Sequence, residues 1–173
     1  MTRHGPGRLV PPLATLLLCG AGLAQAGDCR DSLRPLLLDG DPAAADIARV
    51  RERCVRAADA GDADALYQLA LIHLGLAGRW EPDEALPLIR RAADAGIPEA
   101  QYWLAWQLEE GPLLPDDLPA ALRWYEAAAA SRHRLALERL ARAHERGELG
   151  LPVDRARALQ VRAEIRRCEE ESR

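Results

Sequence analysis

The chain repeats itself at a fixed distance. Arg91-Ala92-Ala93-Asp94-Ala95-Gly96, followed by Ala100-Gln101-Tyr102-Trp103-Leu104-Ala105, restates Arg56-Ala57-Ala58-Asp59-Ala60-Gly61, followed by Ala65-Leu66-Tyr67-Gln68-Leu69-Ala70, 35 residues earlier. A period of this length marks stacked supersecondary units, each of which buries its apolar face only against its neighbours. The chain is therefore expected to be all-α, a solenoid of antiparallel helix pairs. Such a stack offers an extended binding surface more readily than a catalytic pocket.

The spacing fixes where length can vary. Ala65, Ala100 and Ala136 anchor the first helices, and Ala85, Ala121 and Ala158 anchor the second. From second helix to next first helix the step is 15 both times, Ala85 to Ala100 and Ala121 to Ala136, whereas inside a pair it grows from 20 to 21 to 22. All variation then sits in the inner loop of each pair, which points to tight packing between repeats and an exposed inner loop.

Punctuation places the helices. Three pairs are expected near Ala63–His73 with Asp83–Ala95, Pro98–Glu110 with Asp117–Ser131, and Arg134–Arg146 with Asp154–Glu170. Gly61 and Gly96 suit left-handed C-terminal caps, and Asp83, Asp116 and Asp154 suit helix starts. Gly75 and Gly78 break the first pair and Pro82 opens its second helix, while Pro98 fits a first helical turn. Leu69, Leu104 and Leu140 lie one turn after the first-helix anchors. Ala70, Ala105 and Ala141 follow them, small enough to let neighbouring helices approach. A degenerate pair, Cys29–Leu38 and Ala43–Ala60, precedes the clear repeats, and the last helix becomes strongly charged. Terminal repeats are atypical because they close the core.

The N-terminal segment reads differently. Arg3 and Arg8 precede a mostly apolar stretch from Leu9 to Leu23, and Ala24-Gln25-Ala26 has the small-x-small form of a signal-peptidase site. Residues 1–26 are expected to be a cleaved secretory signal, residues 27–61 the degenerate capping pair, and 62–173 the repeat solenoid with its charged capping helix. The stretch is short and broken by Pro11, Pro12 and Gly20, unlike a spanning helix. Cys19 would suit lipid attachment, but Leu18 stands where such a signal carries a small residue.

Of 173 residues, 23 are basic and 27 acidic, and every Lys/Arg position is Arg. Removing residues 1–26 leaves 21 Arg against 27 acids, a net charge of −6. An acidic chain of this kind argues against a general binder of nucleic acid or anionic membranes. Cys29, Cys54 and Cys168 would remain in an oxidising compartment, where a disulfide is expected. Three single pairings exist. Cys29–Cys54 is preferred because both lie in the first helical pair, and Cys168 lies at the far end of a linear stack.

These residues resemble the Sel-one-like repeat family, relatives of the tetratricopeptide repeats. Pro98-Glu99-Ala100-Gln101-Tyr102-Trp103-Leu104-Ala105 and Ala121-Leu122-Arg123-Trp124-Tyr125-Glu126-Ala127-Ala128 carry the resemblance, which spans about residues 55–160. Gly of the family pattern is Ala at 70, 105 and 141, and the second repeat ends in Ser131-Arg132 where Gly is usual. The resemblance implies helix pairs stacked in a right-handed curve, with first helices lining the concave face, used as scaffolds and adaptors. Small exported members also resemble immunity proteins that neutralise toxins delivered between bacteria, including phospholipase effectors of type VI secretion.

Catalytic patterns are sparse. After residue 26 there is no Thr, and Ser occurs only at 32, 131 and 172. No Gly-x-Ser-x-Gly elbow and no Gly-rich phosphate loop with Lys is present. Ser131 and His133 sit at a helix junction and read as a solvated turn, not a dyad. His73 and His144 occupy equivalent repeat positions with Leu108 between them, a repeat position and not a ligand set. No His-Glu-x-x-His or Cys-x-x-Cys spacing indicates a metal, and no cofactor is expected.

The binding candidates lie on first helices. Trp103 aligns with Gln68 and Arg139, and Trp106 with Leu71 and Arg142; polar residues at these aligned positions point to partly exposed sites. Trp and Arg are enriched where binding energy concentrates. Trp103 and Trp106 are expected to be apolar anchors, with Leu71 beside them, Arg139 and Arg142 to pair with acids of a partner, and Gln68 to hydrogen-bond. The alternative is that both Trp simply cover neighbouring helices. The resemblance puts Trp124 and Tyr125 at family core positions, so both read as packing, and Trp80 reads as a contact or a loop anchor. The expected protein is thus a non-enzymatic periplasmic solenoid binding another protein, and the family resemblance puts an immunity protein foremost. An envelope adaptor is second, and a cell-wall enzyme third.

Overall fold

The computed structural model describes residues 28–38, 43–75 and 80–171. The expected signal, residues 1–26, and the loop glycine Gly78 lie outside these. Among the described residues are eight helices: α1 (Asp28–Leu38), α2 (Ala44–Asp59), α3 (Ala63–His73), α4 (Pro82–Asp94), α5 (Pro98–Glu109), α6 (Leu118–Ala130), α7 (Arg134–Arg146) and α8 (Arg155–Glu171). Each packs on the helix before and after it, and α1 also reaches α3. This is the contact pattern of a solenoid.

The junction between pairs is built the same way three times. Asp62 N donates to Ala57 O, Ile97 N to Ala92 O and His133 N to Ala128 O, each at 3.0 Å. Inside each, Gly61, Gly96 and Arg132 donate to Ala58, Ala93 and Ala129. These paired bonds satisfy the last carbonyls of the helix and require a left-handed residue between them. Gly61 has φ +94° and Gly96 φ +91°, as expected; Arg132 takes φ +59° without being glycine. The repeated Ala-Ala dipeptides supply the carbonyls and lie buried.

The inner loops also share one closure. Glu81 N donates to His73 O at 2.7 Å, Asp117 N to Leu108 O at 2.8 Å and Asp154 N to His144 O at 2.7 Å. One residue is added to the loop at each successive repeat, yet the same bond closes it. Helix starts follow this closure. The second helix of the first pair begins at Pro82, ahead of the expected Asp83, because proline tolerates a first turn. Asp117, not Asp116, caps α6, accepting from Ala120 N at 2.9 Å. Asp154 caps α8 through Arg157 N at 2.9 Å, and Asp62 caps α3 through Asp64 N at 3.0 Å.

The apolar spine divides at α5. One cluster runs from Cys29 to Leu104 and the next from Ala105 to Val161, with Leu108 and Trp124 packed against both. Trp124 is therefore packing, as read from sequence. Cys29 and Cys54 are joined by a disulfide across α1 and α2, and Cys168 is not disulfide-bonded. No helix among the described residues is long and apolar enough to cross a membrane.

Candidate functional site

A groove of about 700 Å³ opens between α5 and α7 and is closed on one side by the loop from Gly147 to Gly150. Its floor is a polar network. Glu109, the last residue of α5, has a side chain 13% exposed, as has Arg139 on α7. Arg139 Nε lies 3.0 Å from both Glu109 oxygens, and a second guanidinium nitrogen bonds Glu109 Oε1. A third donates to Glu148 of the closing loop at 2.7 Å. Tyr125 of α6, buried to 1% exposure, donates its hydroxyl to Glu109 at 2.8 Å.

Each member fixes the charge state of the others. Burial alone would raise the Glu109 carboxyl, but hydrogen bonds from Arg139 and Tyr125, with the charge of Arg142 added, outweigh it and hold the group below its ordinary range. Burial, and then the bond to Glu109, push the Tyr125 phenol far up. Burial works against the Arg139 cation, yet Glu109 and Glu148 raise it overall. The result is an ionised carboxylate, a protonated phenol and a held guanidinium. None is poised to exchange a proton near neutrality, so the floor supplies shape and fixed charge.

The walls are aromatic and aliphatic. Trp106 is half-buried and donates its indole N–H to Glu110 at 3.0 Å. Tyr102 stacks on the ring of His133, centroids 4.9 Å apart. Leu118 and Leu135 reach the rim at 42% and 49% exposure. The closing loop places Leu149 at φ +55° between two left-handed glycines, while its side chain is buried in the second cluster. A bulky residue in that conformation persists only where packing over-determines it.

The sequence candidates divide. Trp106, Arg139 and Arg142 line the groove. Trp103 is half-buried against the first cluster, Leu71 is half-buried, and Gln68 is buried at 8% exposure; none of the three lines it. The expectation of Arg139 as a cation open to a partner is corrected by its internal pairing. Glu109, Glu148 and Tyr102 were not singled out. One signal pointed to Glu109: Tyr125 occupies the position that Ile89 holds in the first pair, and a buried phenol needs an acceptor.

The same position pair recurs in each hairpin with different chemistry. Leu74 and Ile89 join the first cluster, Glu109 and Tyr125 share a hydrogen bond, and Glu145 pairs with Arg162 at 2.8 and 2.9 Å. The second and third repeats thus carry polar pairs at positions that are apolar in the first.

Fold and groove define a helical-repeat scaffold for protein–protein interaction. The crystal structure of a Sel1 repeat protein from Oxalobacter formigenes matches with a TM-score of 0.60 and 32% identity, over 65% of this chain and 84% of that one. The chain belongs to the Sel1-like repeat family. The chitin synthase regulator SKT5 of Saccharomyces cerevisiae is 35% identical over 88 residues, 49% of this chain but 13% of that protein. The chain therefore spans a small part of that relative. No family model matches it.

Proposed function

We propose that this is an exported, non-catalytic protein that works in the periplasm by holding a protein partner in the α5–α7 groove. The favoured partner is a secreted toxin, a phospholipase effector being one class, neutralised by occlusion. The observation that carries the groove is its preorganised floor. Arg139, Glu109, Tyr125 and Glu148 are fixed before anything binds, so little ordering is needed on association. Trp106 and Arg142 stand beside that floor as residue types that concentrate binding energy. The Cys29–Cys54 bridge suits an oxidising compartment.

A second reading draws on the likeness to a chitin synthase regulator. By that analogy the protein would be an adaptor acting on an envelope-polymer enzyme. Capture from a periplasmic extract, followed by identification of the bound protein, separates the two. Trp106→Ala and Arg142→Ala are each expected to weaken capture about tenfold, roughly 1.4 kcal/mol. Capture that survives both changes would remove the groove as the site. A toxin among the captured proteins, with loss of protection in the same variants, supports immunity; an envelope synthase supports the adaptor.

A further inference from the structure

A second cavity, of about 330 Å³, lies between α7 and α8 and is lined by Glu138, Arg142, Arg162, Ile165 and Arg166. It shares Glu138 and Arg142 with the larger groove, so the two form one trough crossing α7. Resting on the groove being the binding site, we infer that its occupant is an acidic segment of the partner protein. An apolar side chain of that segment lies near Trp106 and Leu135, and its carboxylates reach Arg142 and Arg166.

The charges along the trough decide this. Arg162 is held by both oxygens of Glu145, and Glu138 is held by Arg134 at 2.8 Å. Arg139 lies between Glu109 and Glu148, and Arg146 stands 3.7 Å from Glu148. These groups are paired with one another, Arg134 also reaching Glu169 at 3.4 Å. Arg142 and Arg166 remain, exposed, and neither has an ion-pair partner among the described residues. Glu110, at the opposite end beside Trp106, is the remaining acid. The trough is thus positive where it crosses to α8, on a chain of net charge −4.

A guanidinium offers a planar fork that matches a carboxylate. Two such groups without an ion-pair partner, beside a partly apolar wall, suit a segment carrying an apolar residue followed by acids. A nucleic acid fits poorly, because neutralising a phosphate backbone needs many cations and the rest of the chain repels it. Glu110 adds direction, since a carboxylate at the Trp106 end would meet a like charge. The acidic end of the segment therefore faces α8.

The test is selection of a displayed library of random peptides on the immobilised full chain, with the enriched sequences remade and their binding measured. Enriched peptides are expected to carry an apolar or aromatic residue followed by Asp or Glu. They should lose at least about tenfold in affinity on the Arg142→Gln/Arg166→Gln double variant and weaken as salt is raised. Both positions are exposed, and an unchanged melting temperature verifies that the variant is folded. Enrichment of basic or uncharged peptides, or undiminished binding to the double variant, overturns the inference. If those peptides still depend on Trp106, the groove stands and only its acidic occupant falls. If they depend on neither Trp106 nor the two arginines, the groove itself falls.

Discussion

Arg139 holds Glu109 side-on across the α5–α7 groove, its Nε 3.0 Å from each carboxylate oxygen and both side chains 13% exposed. Removing one partner strands the other charge in a poorly hydrated site. Arg139→Met leaves Glu109 and Glu148 without their shared cation and is expected to cost about 2–4 kcal/mol in denaturant unfolding, near the lower end for buried pairs. The Glu109→Leu/Arg139→Met double variant should lose clearly less than the sum of the singles. Additivity would mean that the two side chains are not energetically coupled.

Acid should weaken the junction between α6 and α7. His133 caps α7 by accepting from Ala136 N at 3.4 Å and stacks on Tyr102. Burial lowers its pKa, only partly opposed by Glu99. A lowered folded-state value means that the unfolded chain takes the proton first. The stabilisation is therefore complete above the ordinary histidine value of about 6.5 and is lost as pH falls through the lower folded value. Protonation also removes the capping acceptor and puts a cation at a helix N-terminus. Between pH 7 and 5 the melting temperature of the protein should fall more than that of His133→Asn, which keeps a capping oxygen but does not titrate. Parallel curves would show that His133 contributes nothing.

Arg132 occupies the left-handed position that Gly61 and Gly96 fill in the preceding junctions. A side chain there is strained, and its ion pair with Glu171 is exposed and screened by solvent. Arg132→Gly should raise the melting temperature even though it deletes that pair. The reverse change at Gly96, where a Cβ would meet nothing within 4 Å, isolates the backbone cost. Gly96→Ala should destabilise by about 1 kcal/mol. A lower melting temperature for Arg132→Gly would make the Glu171 contact worth more than the strain.

How far the sequence reaches depends on whether a feature recurs. The helix pairs, Gly61 and Gly96 were legible because each is written in the period, and the packing role of Trp124 because the family resemblance places it at a core position. The closing bond from Glu81, Asp117 and Asp154 was visible only as a loop that lengthens, since backbone bonds leave no residue signature. The groove floor was mostly hidden. Glu109 meets Arg139 from another repeat, 30 residues away, and a scattered acid on a helix reads as a solvated one. The alignment of Arg139 with Trp103 and Gln68 pointed to partly exposed positions, which holds for Trp103 but not for Gln68, buried at 8% exposure, and it said nothing about which neighbour would claim Arg139. Gln68 and Trp103 share that alignment and lie off the groove, because neighbours differ from repeat to repeat.

The Cys29–Cys54 bridge closes 25 residues of chain around the first helical pair. Both cysteines are buried, at 1% and 0% exposure, and α1 has no helix before it among the described residues. Restricting the unfolded chain over such a loop is worth about 3 kcal/mol. Cys29→Ala/Cys54→Ala should lower unfolding free energy by about 2–4 kcal/mol, and hydrogen exchange should show protection lost first in α1 and α2. Uniform loss along all eight helices would make the bridge a global clamp and not a terminal one.

Ala105 is fully buried in α5 where the second cluster begins, next to Leu104 of the first. Its methyl fills the narrow space in which α5 meets the neighbouring helices of the stack. A leucine there brings three more carbons into space already filled, and interiors this dense respond by shifting backbone. Ala105→Leu is expected to cost about 1–3 kcal/mol, whereas Ala156→Leu on the exposed face of α8 should change little, since both are good helix formers. Because the shift would move α5 against α7, Ala105→Leu should also weaken partner capture although Ala105 does not itself line the groove. Wild-type stability in Ala105→Leu would mean that the seam between the two clusters is loosely packed and that small residues there are not what sets the spacing of the repeats.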